Sequence, residues 1–182
     1  EFLERYAVLD ERVVVGPRVG EDCAVIDFGD RYLVAKTDPI TFATEDIAWY
    51  VVHINANDVA TMGARPMWFL CTALLPEGVA EEEVEALFAS LHRAAGELGI
   101  SLCGGHTEIT YRLDRPILVG QMLGEVEKDK LVRSDGARPG DVILLTKGLA
   151  VEATALLAWE FPGEVRERFG DEFWERCRNY LK

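Results

Sequence analysis

The sequence predicts an α+β domain with a mixed sheet and its helices on one side, followed by the start of a second α/β domain. Three observations predict it. Strand-like and helix-like segments alternate in the order β, β, α, β, α, β, β. The strand segments are dense in Val, Ile, Leu and aromatic residues. Of the 182 residues, 49% are hydrophobic and 28% charged, enough apolar material to bury a sizeable core.

The elements follow in chain order. DCAVIDF (22–28) and RYLVAKT (31–37) alternate as strands across a tight turn at Gly29–Asp30. Residues 45–62 read as a helix. Thr44 is placed to cap it, Glu45 and Asp46 suit its first turn, and Gly63 with Pro66 stops it. MWFLCTALL (67–75) is a long apolar strand closed by Pro76 and Gly78. Over 81–98, Val84, Leu87, Phe88, Leu91, Ala95 and Leu98 fall on one face at helical spacing, and Gly99 ends the run. A short strand at 100–103 is expected to run into GGHTE as a glycine turn, and PILVGQMLGEV (116–126) is the next strand.

Residues 127–140 are polar and end in Pro and Gly, the composition of a connector. A strand at 141–146 (DVILLT), a helix from about 150 and helical sequence over 163–182 follow. The expected domains are therefore 1–133 and a truncated 134–182. The chain opens on Glu1 and stops within RNYLK, which reads as a fragment.

Composition excludes several function classes. A net charge of −13 repels phosphate backbones, which argues against nucleic acid, although a nucleotide arriving with Mg²⁺ is compatible. No apolar run approaches the roughly 18 residues of a membrane span, and no signal peptide opens the chain. Cys23, Cys71, Cys103 and Cys177 form no CxxC pair, which favours a reducing, cytoplasmic setting and disfavours zinc.

Acidic residues stand at telling places. Asp58 shares the helical stripe of Ile47, Val51, Ile54 and Met62, flanked by Asn55 and Asn57. It is either a buried acid satisfied by a neighbouring donor or a metal ligand. Asp38, before Pro39, is either a turn residue or a carboxylate at a sheet edge. Glu21 and Asp22 precede a strand and are either solvated or functional. His106 and Glu108 follow Gly104–Gly105, where glycine lets the backbone approach a ligand. Hard carboxylate oxygens suit Mg²⁺. There is no GxxxxGK[ST] and no GxGxxG, so acid-held Mg²⁺ would do much of the work of a P-loop.

GEDCAV, KTDPITF, NANDVATMGARP, GGHTEIT and GARPGDVILLT occur in an order that resembles the aminoimidazole ribonucleotide (AIR) synthetase, or PurM-like, superfamily, across about residues 16–158. That superfamily includes thiamine-monophosphate kinase, selenophosphate synthetase and the hydrogenase maturation protein HypE. The resemblance implies a PurM N-terminal-like domain over 1–133 that forms a homodimer through its sheet and binds ATP in a cleft near the dimer interface. It implies that 134–182 begin the C-terminal PurM-like domain. Matched motif to motif, Asp22, Asp38, Asp58 and Glu108 stand as Mg²⁺ ligands. Thr37, Asn57, Gly104, Gly105 and Thr107 stand as nucleotide contacts, and Asp58 with His106 as catalytic residues. Relatives carry GGDT, GDT or GGET where this chain has GGHTE. A neutral imidazole is a poor Mg²⁺ ligand beside carboxylates, so either Glu108 takes over or His106 contacts a phosphate or the substrate. The GGHTE form and KGLAVEATALLA resemble the HypE-like and AIR synthase-related branch. The implied activity is ATP- and Mg²⁺-dependent phosphorylation of an amide-type or similar oxygen, as in hydrogenase maturation. The alternatives are a thiamine-monophosphate kinase-like phosphotransferase and a catalytically inactive regulatory homologue.

Overall fold

The structure, a computed structural model, describes residues 2–42 and 46–181. Two compact units divide the described residues: 2–42 with 46–137, and 138–181.

The first unit carries a six-stranded mixed sheet. Its strands are β1 (Val13–Val15), β2 (Ala24–Asp27), β3 (Arg31–Ile40), β4 (Arg65–Pro76), β5 (Ser101–Thr110) and β6 (Ile117–Glu127), in the spatial order β1-β2-β3-β6-β4-β5. Among the described residues, only β4 and β5 pair in parallel. The helices are α1 (Ile47–Thr61), between β3 and β4, and α2 (Glu81–Glu97), the crossover between β4 and β5. α1 packs on β3, β6 and β4, and α2 on β5 and α1, so both lie on one face of the sheet. The expected α+β architecture is present. The strand β1 was not anticipated.

Burial follows strand alternation. Val34 and Ile40 of β3, Phe69, Cys71, Ala73 and Leu75 of β4, and Leu118 and Met122 of β6 point at the helices and are buried. α1 meets them with Val51, Val52, Ala56 and Val59. α2 contributes Leu91, Ala94 and Ala95, while Leu98, expected on its inner face, is exposed at the helix end. Glu81, Glu82 and Glu83 occupy the first turn of α2, where carboxylates complement the helix dipole. The Glu83 carboxylate also accepts the Ala80 N–H at 3.0 Å. The expected cap of the 45–62 helix, Thr44, and its neighbour Glu45 lie outside the described residues.

Two expectations are overturned. GGHTE is not a glycine turn but the middle of β5, paired with β4 from Trp68↔Ser101 to Pro76↔Thr110. The register slips by one residue at Cys103, and Gly105 absorbs the distortion with φ +153. A Cβ there would lie 1.9 Å from the Cys71 carbonyl oxygen, so only glycine fits. Residues 141–146 do not form a strand. Val142, Ile143, Leu144 and Leu145 are exposed, and no strand pairs with them among the described residues.

The rest of the second unit contains α3 (Val151–Glu160), α4 (Pro162–Phe169) and α5 (Asp171–Arg178). Trp174 Nε1–H donates to the Ala158 carbonyl at 2.7 Å and Trp159 Nε1–H to that of Arg178 at 3.1 Å, tying α3 to α5.

Candidate functional site

The helix-bearing face of the sheet holds a charged cluster at one edge of the core. On β3, Lys36 and Asp38 alternate with the buried Val34 and Ile40, so all four side chains share that face. α1 brings Asp58 above them, and Asp22 arrives from the segment just before β2. The Lys36 ammonium lies 2.9 Å from Asp58 Oδ2, 3.5 Å from Asp38 Oδ2 and 3.9 Å from Asp22 Oδ1. The Lys36 side chain is only 10% exposed, against 70% for Asp22.

One ammonium cannot neutralise three carboxylates, and the titration of the group reflects that. Burial raises the Asp58 carboxyl above its ordinary value, Lys36 offsets this only in part, and the Asp22 and Asp38 charges add to the rise. Burial acts to lower Lys36, but its hydrogen bond to Asp58 and the three negative charges outweigh it and hold the ammonium above its ordinary value.

α1 is anchored beside this cluster by Asn55, a residue outside the predicted ligand set. Asn55 is fully buried and donates from Nδ2 to the Val51 carbonyl at 2.8 Å and to the Asp38 carbonyl at 3.4 Å. Its Oδ1 has no hydrogen-bond partner. The expected stripe of Ile47, Val51, Ile54 and Met62 included Asp58. The buried face is instead centred on Val51, Asn55 and Val59, with Asp58 half-buried at its flank and Asn57 exposed.

Glu21 and Asp22 part company. Glu21 Oε1 accepts from Arg18 Nη2 at 2.6 Å and from Ser134 Oγ at 2.7 Å, and its side chain is 2% exposed. Arg18 holds its carboxyl below the ordinary range, with Ser134 assisting. It ties residues 18–21 to the segment after β6, while its neighbour Asp22 faces the aspartate cluster.

Glu108 does not join the aspartates. The register runs Asp38↔Gly120↔Cys71↔Gly105 across β3, β6, β4 and β5. Three strand spacings separate β3 from β5, about 14 Å at roughly 4.8 Å each. His106 and Glu108 pair in register with Thr72 and Leu74 on the helix-free face, opposite to the aspartates. His106 Nε2 is 3.6 Å from Glu108 Oε2, and both are well exposed. Thr37 also faces away from the helices, its hydroxyl donating to the Gly120 carbonyl at 2.8 Å. Gly104, Gly105, His106 and Thr107 border a groove of about 380 Å³ shared with Cys71, Phe88 of α2 and Leu102.

The donor chemistry around Lys36 fits a hard divalent cation: three carboxylates converge on one point with no soft ligand among them. Among the described residues, no group of three or more His, Cys, Asp or Glu stands ready-made at metal-ligand spacing. Lys36 was overlooked in the sequence. The signal that finds it is the spacing of two from Asp38, which puts both on one face of a strand.

A family model described as AIR synthase related protein, N-terminal domain, matches residues 20–126, more than half of the chain. The chain is 31% identical over 161 residues to carbamoyl dehydratase HypE of Cupriavidus necator, covering 82% of this chain and 46% of that protein. It is 26% identical over 162 residues to thiamine-monophosphate kinase of Pyrococcus horikoshii, covering 82% of this chain and 51% of that protein. A solved structure of hydrogenase maturation protein HypE in complex with ATP superposes with a TM-score of 0.55 at 32% identity, over 65% of this chain and 37% of that one. The chain spans about half the length of the curated relatives it matches. The matched span contains Asp22, Lys36, Asp38, Asp58 and the glycine pair of β5, and by it the chain belongs to the AIR synthase-related protein family.

Proposed function

We propose that the chain is the ATP- and Mg²⁺-binding part of an enzyme that phosphorylates an amide-type or similar oxygen, of the HypE-like branch of the family. The observation that carries this reading is the convergence of Asp22, Asp38 and Asp58 on one cation position. Asp22, Asp38 and Asp58 would hold Mg²⁺, which supplies charge neutralisation on nucleotide phosphates. The chain's own contribution is positioning. Asn55 fixes the backbone of Asp38 against α1, Gly105 keeps β5 within reach of β4, and Glu21 pins the segment that presents Asp22. Residues 1–133 constitute the nucleotide-binding domain in this reading, and 134–182 the beginning of a second domain, in a cytoplasmic protein.

The helix-free face supports a homodimer. Ala35, Trp68, Leu70, Leu74, Val119 and Leu123 lie there half-buried, an apolar surface that a second copy would cover. His106 and Glu108 share this face, so in the dimer they would line the interface.

Isothermal titration of the full-length protein with ATP, with and without Mg²⁺, tests the reading. Binding that requires Mg²⁺ and is lost in Asp58→Asn supports it. No binding to the folded protein, or equal binding by the variant, overturns it. A second reading, a thiamine-monophosphate kinase-like phosphotransferase, is favoured by the similarity to the Pyrococcus kinase over 82% of the chain. Formation of thiamine diphosphate from the monophosphate and ATP separates the two.

A further inference from the structure

We propose that Lys36 is an internal stand-in for the cation: its ammonium holds Asp22, Asp38 and Asp58 together in the metal-free protein and must leave before a divalent ion enters. The inference rests on the preceding reading only in taking the three aspartates as the cation's position.

Geometry makes occupancy exclusive. Lys36 Nζ stands 2.9 Å from Asp58 Oδ2, with Asp38 and Asp22 oxygens at 3.5 and 3.9 Å. A Mg²⁺ ion sits about 2.0–2.1 Å from each oxygen it binds, so ion and ammonium cannot share the centre of one carboxylate cluster. Charge favours exchange only when the incoming cation is divalent, because one positive charge against three carboxylates leaves a net negative site. The flexible four-carbon stem of lysine lets the ammonium swing aside while its backbone stays in β3.

The exchange also sets an order of events. A bare divalent ion must break the contacts of Lys36 with nothing offered in return. An ion that arrives with a polyphosphate brings anionic oxygens next to the displaced ammonium. Bare cation therefore binds weakly and cation with nucleotide binds well, and Lys36 is a positioning residue rather than a ligand.

Mn²⁺ alone, without nucleotide, is the probe, with free ion followed by electron paramagnetic resonance in the full-length protein. Lys36→Met is expected to bind Mn²⁺ roughly tenfold more tightly than wild type, or better. In wild type, mass-mapped reductive methylation of Lys36 is expected to be slow without metal and to rise as Mn²⁺ is added. Equal or weaker Mn²⁺ binding by the folded variant overturns the proposal, as does methylation of Lys36 that bound Mn²⁺ leaves unchanged. Absence of Mn²⁺ binding by both proteins up to millimolar concentration overturns it too. Should Lys36→Met not fold, the methylation experiment decides alone. A protein that binds no ATP yet exposes Lys36 on Mn²⁺ binding retains this inference and loses the preceding one.

Discussion

Gly120 lies directly beneath Asn55: a Cβ built on Gly120 would stand 2.4 Å from Asn55 Nδ2 and 2.8 Å from Phe69 Cε2. The missing side chain lets α1 settle onto the sheet at the level of Asp38, Gly120's partner in β3. That close approach allows Asn55 to reach the Asp38 carbonyl and brings Asp58 down to Lys36.

Gly120→Ala is therefore expected to lift α1 and to destabilise the protein by about 1–3 kcal/mol, the usual cost of overpacking a core. Urea denaturation reads this as a lower midpoint at unchanged slope. An unchanged midpoint would show that the helix has room to spare.

Asp58→Asn separates binding from folding. Asp58 is half-buried and keeps its place through Lys36, which retains Asp38 at 3.5 Å when Asp58 is neutral. The variant is expected to melt close to wild type while binding ATP with Mg²⁺ at least about tenfold more weakly. Comparable losses of stability and binding would make Asp58 a structural residue.

The cysteines differ in reactivity. Burial pushes the Cys23 thiol up to about 12, with the Asp58 charge assisting. Burial alone pushes Cys71 up to about 11. Cys103 is exposed on β5 and Cys177 is buried. Brief alkylation of the native protein at mildly alkaline pH is expected to label Cys103 and spare Cys23 and Cys71, because the thiolate is the reactive form. Mass mapping that finds Cys71 labelled as fast as Cys103 would contradict the burial of Cys71 in the core.

His53 gives a pH signature. It stacks on Trp49 with ring centroids 3.9 Å apart and lies 2.9 Å from the Trp49 carbonyl through Nδ1. Burial holds its pKa below the ordinary 6.5, although the Trp49 hydrogen bond and the Glu97 charge act the other way. The unfolded chain therefore takes up this proton first as pH falls. His53 contributes stability that is present above 6.5 and lost as pH falls through the folded value. His53→Gln is expected to lose less stability than wild type between about pH 7.5 and pH 5. Identical pH profiles in urea denaturation would count against it.

Much of the fold was legible because periodicity is a local property. Strands β2, β3, β4 and β6 and helices α1 and α2 all announce themselves by spacing. What failed depended on partners. Gly104–Gly105 signals a turn in isolation, yet the long parallel contact with β4 draws both into β5. Residues 141–146 have strand composition, but composition does not supply a neighbour to pair with. The motif resemblance grouped Glu108 with the aspartates, and the strand order and register show them apart and on opposite faces. Lys36 was passed over because a strand lysine is ordinarily a solvated surface group.

The fixed backbone of β5 has an evolutionary corollary. With Gly105 excluded from change by the Cys71 carbonyl, the strand's path is set by glycine and by its pairing with β4, not by what stands at positions 106 and 108. Those two exposed side chains can be exchanged without refolding the rail that carries them. With Gly105 in place, the chemistry at these two positions can change one substitution at a time, and a saturation library at His106 and Glu108 would sample that freedom in a scaffold that stays folded.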